Sequence, residues 1–256
     1  MKTTYKQASI HYTKSGDGDA VLLLHGFLEN ASMWDFFIEN FKNSHTLIAP
    51  DLLGHGLSEG LGYVHTTEEM ATQVKSIIDI EKIEKITLVG HSMGGYVALA
   101  LVEKFPKMIQ KLILLNSTPK ADSKVRKQNR DRAVSLVKKN KNAFVSMSIS
   151  NLFAEKNRIQ FTVEIENLKT EALTMSAKNI AAALEGMKIR KGRSYTLKKI
   201  TIPKYIIAGT EDPVIPLKEI RVVAEKTETP LIVMEGGHMT SIENREELLA
   251  FFREIL

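Results

Sequence analysis

Short, continuous runs of apolar residues recur along the chain, with polar and amphipathic segments between them. Six of these runs are rich in Leu, Ile and Val: AVLLLHG (20–26), HTLIAPD (45–51), KITLVGH (85–91), KLILLNS (111–117), KYIIAGT (204–210) and PLIVMEGG (230–237). Their length and composition predict strands buried on both faces of a parallel sheet. The first twenty residues alternate like a strand, and we expect an antiparallel hairpin there that turns at SGDGD (15–19).

Helix-periodic segments lie between the predicted strands. They are SMWDFFIENF (32–41), TTEEMATQVKSIIDI (66–80), MGGYVALALVEKF (93–105) and a last segment over 243–256. In the last of these, Leu248, Phe251, Phe252 and Ile255 share one helix face. The alternation of strands and helices predicts an α/β sheet with right-handed crossovers.

This alternation breaks between 119 and 200, where charged helical segments replace the strands. Ile180, Ala183, Leu184 and Met187 recur there at helical spacing. Because the segment lies between two predicted core strands, the simplest interpretation is a helical insertion over the ends of the sheet. We therefore predict one domain whose core is built from 1–118 and 201–256.

Charge is unevenly distributed along the chain. The formal net charge is +5, but residues 119–200 hold 19 Lys and Arg against 7 Asp and Glu. A basic block can contact nucleic acid, yet aromatic residues make up only 7% and no nucleic-acid motif occurs, so a solvated helical surface is the favoured interpretation. Attraction of an anionic substrate is a second hypothesis, with Arg126, Arg130, Arg158 and Arg190 as candidate carboxylate clamps.

The sequence offers no targeting or cofactor signal. It has no apolar stretch of about twenty residues and no basic start followed by an apolar region, so we expect a cytoplasmic protein without a membrane partner. We also expect no nucleic-acid partner, and a monomer or homodimer. The absence of cysteine excludes disulfides, thiol nucleophiles and Cys-ligated zinc. SGDGDAV begins like a dinucleotide-binding motif, but Val21 replaces the third glycine. We expect no cofactor and no metal.

The most informative stretch is LVGHSMGGYVAL at 88–99. Its Gly90-x-Ser92-x-Gly94 pattern stands where a predicted strand becomes a predicted helix, and small residues there allow a sharp turn that exposes a strained serine. The helix start adds free N–H groups beside a developing oxyanion. We predict that Ser92 is a nucleophile, since a turn that merely packs helix on sheet would not require this context.

A serine hydroxyl needs a base to take its proton. Among seven histidines, His238 is the best candidate, because it follows the last predicted strand on a Gly-Gly loop. His91 adjoins the serine, but neighbouring side chains on such a turn point apart. We interpret His25 and His55 as residues that organise loops.

The base in turn needs an acid to fix its tautomer. Asp212 stands at the end of the penultimate strand in AGTEDPVIP, and Glu211 is the competing carboxylate. Asp212 is favoured because the proline after it fits a turn that projects the preceding side chain into the cleft. For the oxyanion, the backbone N–H of Phe27, after the first core strand, could join that of Met93.

Five segments together resemble the α/β-hydrolase superfamily, and within it the cofactor-free esterases, enol-lactonases and related carboxylic-ester hydrolases. They are HGF (25–27), DLLGHGLS (51–58), GHSMGG (90–95), GTEDPVIP (209–216) and GGHMTSIENREEL (236–248). The resemblance spans nearly the whole chain but is weak over 119–200. It implies a mostly parallel sheet of about eight strands flanked by helices, with 119–200 as a helical cap over the pocket.

The resemblance also implies roles: Ser92 as nucleophile, His238 as base, Asp212 as its partner, and Phe27 and Met93 as oxyanion donors. The expected reaction is hydrolysis of a small-molecule ester or lactone. Acyl transfer, perhydrolysis, C–C bond hydrolysis and the menaquinone-pathway elimination use the same residues and stay open, as does a small-molecule-binding protein without catalysis. HGF replaces the HGGG of many lipases, which disfavours a long-chain lipase of that type.

Overall fold

The computed structural model describes residues 1–256 and contains one eight-stranded sheet. The strands are β1 (Lys2–Tyr5), β2 (Ala8–Ser15), β3 (Asp19–Leu24), β4 (His45–Pro50), β5 (Ile86–His91), β6 (Ile109–Leu115), β7 (Lys204–Gly209) and β8 (Leu231–Met234). Their order in the sheet is β1-β2-β4-β3-β5-β6-β7-β8. Only the β1–β2 and β2–β4 pairs are antiparallel, so the predicted fold class, a mostly parallel sheet of about eight strands flanked by helices, is confirmed.

The predicted N-terminal hairpin exists, but its turn was wrongly placed at SGDGD. The hairpin joins β1 and β2 through a turn at Lys6, whose φ is +55°. SGDGD instead connects β2 to β3 around the start of β4, which lies between them. Gly16 and Gly18 have φ of +81° and +117°, and a Cβ on either would collide with the backbone of residues 42–45. These glycines therefore allow one loop to pass closely over a neighbouring strand.

The helices cover both faces of the sheet. Their bounds are α1 (Asp35–Phe41), α2 (Thr67–Ile80), α3 (Met93–Lys104), α4 (Lys124–Lys139), α5 (Lys141–Ser150), α6 (Thr162–Leu173), α7 (Ala177–Ile189), α8 (Ser194–Lys199), α9 (Leu217–Thr227), α10 (Thr240–Glu243) and α11 (Arg245–Ile255). Apolar residues of α1 and α11 pack on one face, and those of α2, α3 and α9 pack on the other. This layering is what continuous apolar strands require, because both faces must leave water.

Helices α4 to α8 lie in the chain between β6 and β7. Their buried residues, such as Val137, Phe144, Ile165 and Ile180, join the same apolar cluster as α2 and α3. The five helices therefore share one apolar core with α2 and α3; α4 packs against α5 and α7, and α8 packs against α3 and α9. No helix of the chain combines the length and the apolar character that crossing a bilayer requires.

Candidate active site

Ser92 lies at the turn between β5 and α3 in a conformation that side chains rarely adopt. Its φ is +49° and its ψ is −112°. Residues held in such regions cost on the order of 1–3 kcal/mol and persist only where the surroundings fix them. Here the Ser92 N–H donates to the carbonyl of Leu115 (2.9 Å), and the Ser117 hydroxyl donates to the Ser92 carbonyl (2.7 Å). The end of β6 and the loop that follows it therefore hold the strained turn in place.

The glycines on either side of Ser92 are required by the packing. A Cβ on Gly90 would lie 2.6 Å from the carbonyl oxygen of Gly94, and a Cβ on Gly94 would collide with the carbonyl of Leu24 on β3. Neither position has room for a side chain. The close approach of helix α3 to the sheet therefore depends on the two glycines that the sequence pattern singled out.

The structure brings Ser92, His238 and Asp212 into one hydrogen-bonded line. The Nε2 atom of His238 lies 2.8 Å from Ser92 Oγ, and its Nδ1 lies 2.7 Å from Asp212 Oδ2. The His238 loop is held by a bond from its N–H to the Leu152 carbonyl (2.7 Å). With the proton on Nδ1 donated to the carboxylate, Nε2 is an acceptor that faces the serine hydroxyl. A proton on Oγ can therefore pass directly to the imidazole.

Asp212, rather than Glu211, contacts the histidine. Its Oδ1 accepts the N–H groups of Val214 and Ile215, both at 2.8 Å. Burial by itself would raise the pKa of Asp212, but the adjacent His238 and the Ile215 N–H outweigh it and hold the pKa below its ordinary value. Glu211 points outward and pairs with Lys156 at 2.7 Å.

Asn116 is part of this arrangement, although the sequence analysis did not single it out. It follows β6 with φ of +45°, and its Nδ2 donates to Asp212 Oδ2 (3.1 Å) and to the Gly237 carbonyl (3.2 Å). It thereby ties the acid to the loop that carries His238. Its place after a predicted strand, in KLILLNS, was the one available signal.

Phe27 and Met93 flank the serine. Phe27 lines the same cavity as Ser92 and His238, and its N–H has no hydrogen-bond partner within the protein. Met93 is the first residue of α3, where an N–H has no acceptor one turn earlier in its own helix. These two N–H groups belong to the residues expected to hold an oxyanion.

Comparison with known proteins gives the family. The model of the alpha/beta hydrolase fold family matches residues 19–245. This chain belongs to the α/β-hydrolase family. A 3-oxoadipate enol-lactonase of Acinetobacter baylyi is 26% identical over 244 residues, which is 94% of this chain and 90% of the relative. The solved structure of a thermophilic esterase from Thermogutta terrifontis, with malate bound, superposes with a TM-score of 0.92 at 29% identity, covering 99% of this chain and 96% of that one.

An uncharacterised protein of Mycobacterium tuberculosis is 36% identical over 103 residues. That alignment covers 40% of this α/β hydrolase and 30% of the mycobacterial protein, so it reaches less than a third of the relative's length.

A second buried histidine supports both loops of the site in this α/β hydrolase. His91 Nδ1 lies 2.9 Å from Glu29 Oε2, and its Nε2 donates to the carbonyl of His238 (2.9 Å). The same Glu29 oxygen accepts the N–H of Gly26 at 2.6 Å. Because both ring nitrogens face acceptors, this arrangement favours the imidazolium form of His91. The pair connects the turn before Phe27 to the loop that carries His238.

The charges of this pair stabilise each other. Burial by itself would lower the pKa of His91, but the negative charge of Glu29 outweighs it and holds that pKa above 6.5. Burial would likewise raise the pKa of Glu29, yet the charge of His91 holds it below the ordinary value. The sequence disfavours His91 as the base and predicts no role for Glu29, since no local motif joins residues 62 positions apart.

The ion pair of Glu29 and His91 should make the folded protein less stable at alkaline pH. Because the folded pKa of His91 exceeds 6.5 and that of Glu29 lies below 4.5, the pair's contribution is complete between pH 4.5 and 6.5. It falls as pH rises through the folded pKa of His91. We expect the free energy of unfolding, measured with urea, to decrease above pH 6.5. Glu29→Gln should lower it by about 3 kcal/mol at pH 6, the cost of breaking a buried ion pair, and should remove this decrease.

The control is Glu39→Gln, since Glu39 is exposed on α1 and pairs only with Lys42. It should retain the wild-type pH dependence. Burial lowers the pKa values of His25 and His55. These two histidines therefore reduce the free energy of unfolding as pH falls below 6.5, not as it rises above that value. An equal alkaline decrease in wild type and Glu29→Gln would contradict the assignment of this decrease to the pair.

Two cavities meet above Ser92. A small inner cavity of about 60 Å³ is lined by Ser92, His238 and Phe27. An outer cleft of about 460 Å³ opens between α4, α5 and the loop after β7. Phe27, Arg130, Leu152 and Val214 line both, so the two are adjacent and share a wall. The site therefore has a small cavity at Ser92 and a larger cleft beside it.

The four candidate arginines differ in their position relative to the two cavities. Arg130 lines both cavities, and Arg126 lines the outer cleft. Arg190 is buried over the ring of Tyr96 at 4.0 Å. Arg158 lines neither cavity.

No group of three or more His, Asp or Glu side chains is arranged to hold a metal ion.

Proposed function

We propose that this α/β hydrolase cleaves a carboxylic ester or lactone of a small molecule through an acyl-enzyme on Ser92. The observation that carries the proposal is the unbroken line from Ser92 Oγ to His238 Nε2 (2.8 Å) and from His238 Nδ1 to Asp212 Oδ2 (2.7 Å). The names of two relatives, an esterase and an enol-lactonase, support the same class of substrate.

The proposed reaction has two halves. In the first, Ser92 Oγ attacks the ester carbonyl carbon while its proton passes to His238 Nε2. The negative charge that develops on the carbonyl oxygen is stabilised by the N–H groups of Phe27 and Met93. The C–O bond to the alcohol then breaks, and the alcohol leaves with the proton from His238; in a lactone it stays attached to the acyl chain.

In the second half, His238 takes a proton from water, whose oxygen attacks the acyl-enzyme. Collapse of this second intermediate breaks the bond to Ser92 Oγ, which recovers its proton from His238, and releases the acid. Asp212 stays ionised throughout and stabilises the imidazolium. Its four hydrogen bonds hold the carboxylate in place for this task.

We further propose that 119–200 forms a cap over a core built from 1–118 and 201–256. Its helices supply residues to both cavities, among them Arg130 and Met187, and the loop at Leu152 holds the His238 backbone. A cap in this position excludes water from the acyl-enzyme and limits substrate size.

The test is turnover of p-nitrophenyl esters by the purified protein. We expect hydrolysis of the acetate and butyrate, and at least a tenfold lower kcat/KM for the octanoate, since the inner cavity of about 60 Å³ holds few atoms beyond the reacting group. Absence of turnover on all three esters, together with absence of a covalent adduct from a fluorophosphonate probe, would contradict the proposal and favour a binding protein without catalysis.

A further inference from the structure

The inner face of helix α4 carries positive charge into the site. Arg126, Asn129, Arg130 and Ala133, spaced as one helix face, line the outer cleft. Arg130 also lines the inner cavity with Ser92 and His238. Arg130 therefore lies between the inner cavity at Ser92 and the outer cleft.

Arg130 is held in place by a buried carboxylate that it shares. Its Nε donates to Asp122 Oδ2 at 3.1 Å, and Arg190 Nη1 lies 2.7 Å from Asp122 Oδ1. The Asp122 side chain has no exposed surface, and that of Arg190 is 2% exposed. Two guanidinium groups thus share one carboxylate, which leaves one positive charge uncompensated. The Arg130 side chain, at 19% exposure, is the one that reaches the cavities.

The terminal nitrogens of Arg130 have no hydrogen-bond partner within the protein. Arg126, one turn earlier, donates Nη2 to the Val214 carbonyl and has no carboxylate partner. No Asp or Glu lines the outer cleft. Of the two carboxylates near the serine, Glu29 forms an ion pair with His91, and Asp212, which is bound to His238, lines neither cavity. In a site shielded from water, this balance favours an anion beside Arg130.

We propose that Arg130, assisted by Arg126, is a carboxylate-binding subsite, and that the preferred substrates are esters or lactones that carry a second, ionised carboxyl group. A planar monoanion matches the single uncompensated charge, and the free end of a guanidinium can bind it with two parallel hydrogen bonds. The inference rests on the proposed ester chemistry at Ser92 and names the substrate class for it.

Matched substrate pairs test this selectivity. Monomethyl glutarate carries the carboxylate on the acyl side, and dimethyl glutarate is its neutral counterpart; 4-acetoxybenzoate and methyl 4-acetoxybenzoate form the pair with the charge on the alcohol side. In at least one pair, kcat/KM for the anion should exceed that for the neutral ester by tenfold or more, chiefly through KM. The preference should shrink in 0.5 M NaCl. A ratio at or below one in both pairs would overturn the proposal.

Substitutions of the arginines on α4 test which side chain produces the preference for the anionic ester. Arg130→Gln should reduce the anion-to-neutral ratio by at least tenfold and Arg126→Gln by less, the size expected for a charge-assisted hydrogen bond. Arg130→Lys should restore part of the ratio. Arg132→Gln is the matched control, because Arg132 lies on the same helix, is exposed and lines neither cavity; it should keep the wild-type ratio. An unchanged ratio in both Arg126→Gln and Arg130→Gln would overturn the assignment.

Binding measurements test the carboxylate-binding subsite independently of the proposed ester hydrolysis at Ser92. Calorimetry on Ser92→Ala protein should detect monomethyl glutarate at least tenfold tighter than dimethyl glutarate, and adding Arg130→Gln should remove the difference. If this binding difference is present while wild type hydrolyses neither ester, the subsite stands and the ester chemistry fails. If Ser92→Ala binds both equally or neither, the subsite fails, whatever the wild-type turnover.

Discussion

Ser92→Ala should reduce kcat for p-nitrophenyl acetate by about 10⁴-fold or more, because no other hydroxyl occupies its place against His238 Nε2. His238→Ala should cause a loss of similar size, since the residues act as a unit. The change in the free energy of unfolding for Ser92→Ala should stay below about 1 kcal/mol, because the Ser92 side chain makes only the bond to His238. Stopped-flow absorbance and urea unfolding measure the two quantities.

The strained backbone at Ser92 adds a sharper test. At φ +49° and ψ −112°, glycine has no Cβ to strain, so Ser92→Gly should be more stable than Ser92→Ala by about 1 kcal/mol or more while remaining inactive. Ser135→Ala is the control, since that hydroxyl is exposed and bonds only within its own helix. Activity in Ser92→Ala within tenfold of wild type would show that the nucleophile is elsewhere.

Asp212→Asn should lower kcat by about 10⁴-fold, with KM changed much less. The amide oxygen can still accept the N–H groups of Val214 and Ile215, but its NH₂ group would then face His238 Nδ1. That donor forces the histidine proton onto Nε2, where it blocks proton transfer from Ser92. The same NH₂ group would also oppose the Asn116 amide, which now donates to this oxygen.

Glu211→Gln is the matched control for Asp212→Asn. It removes a carboxylate from the adjacent position, but that side chain is turned outward and pairs with Lys156. Its kcat should stay within twofold of wild type. If Glu211→Gln were the damaging change and Asp212→Asn the mild one, the acid would have been assigned to the wrong residue.

The parts of this molecule that could be predicted from sequence are those fixed by local sterics and by burial. Continuous apolar runs predicted β3 to β8 because a strand covered on both faces leaves no polar position. The glycine at 90 predicted the turn because the close contact that it permits, with Gly94, is between neighbours in the chain. Ser92, Asp212 and His238 were selected because each follows a predicted strand, and parallel strands end at one edge.

What the sequence did not predict depends on contacts between distant segments. The position of β2 beside β4, rather than beside β3, is a choice of partner that the SGDGD turn does not encode. The pairing of Glu29 with His91 likewise joins two residues that share no motif. The four candidate arginines were equivalent in sequence, and only the packing of α4 against α7 places Arg130 on the wall of the cavity that Ser92 lines.

The most direct test of the proposed ester chemistry is the site of covalent labelling by a fluorophosphonate probe, mapped by peptide mass spectrometry. The proposed ester chemistry predicts one adduct per chain, on the Oγ of Ser92, with labelling slowed at least 10³-fold in His238→Ala because the imidazole at 2.8 Å must take the proton. No adduct on wild-type protein, or an adduct on any other residue, would contradict it.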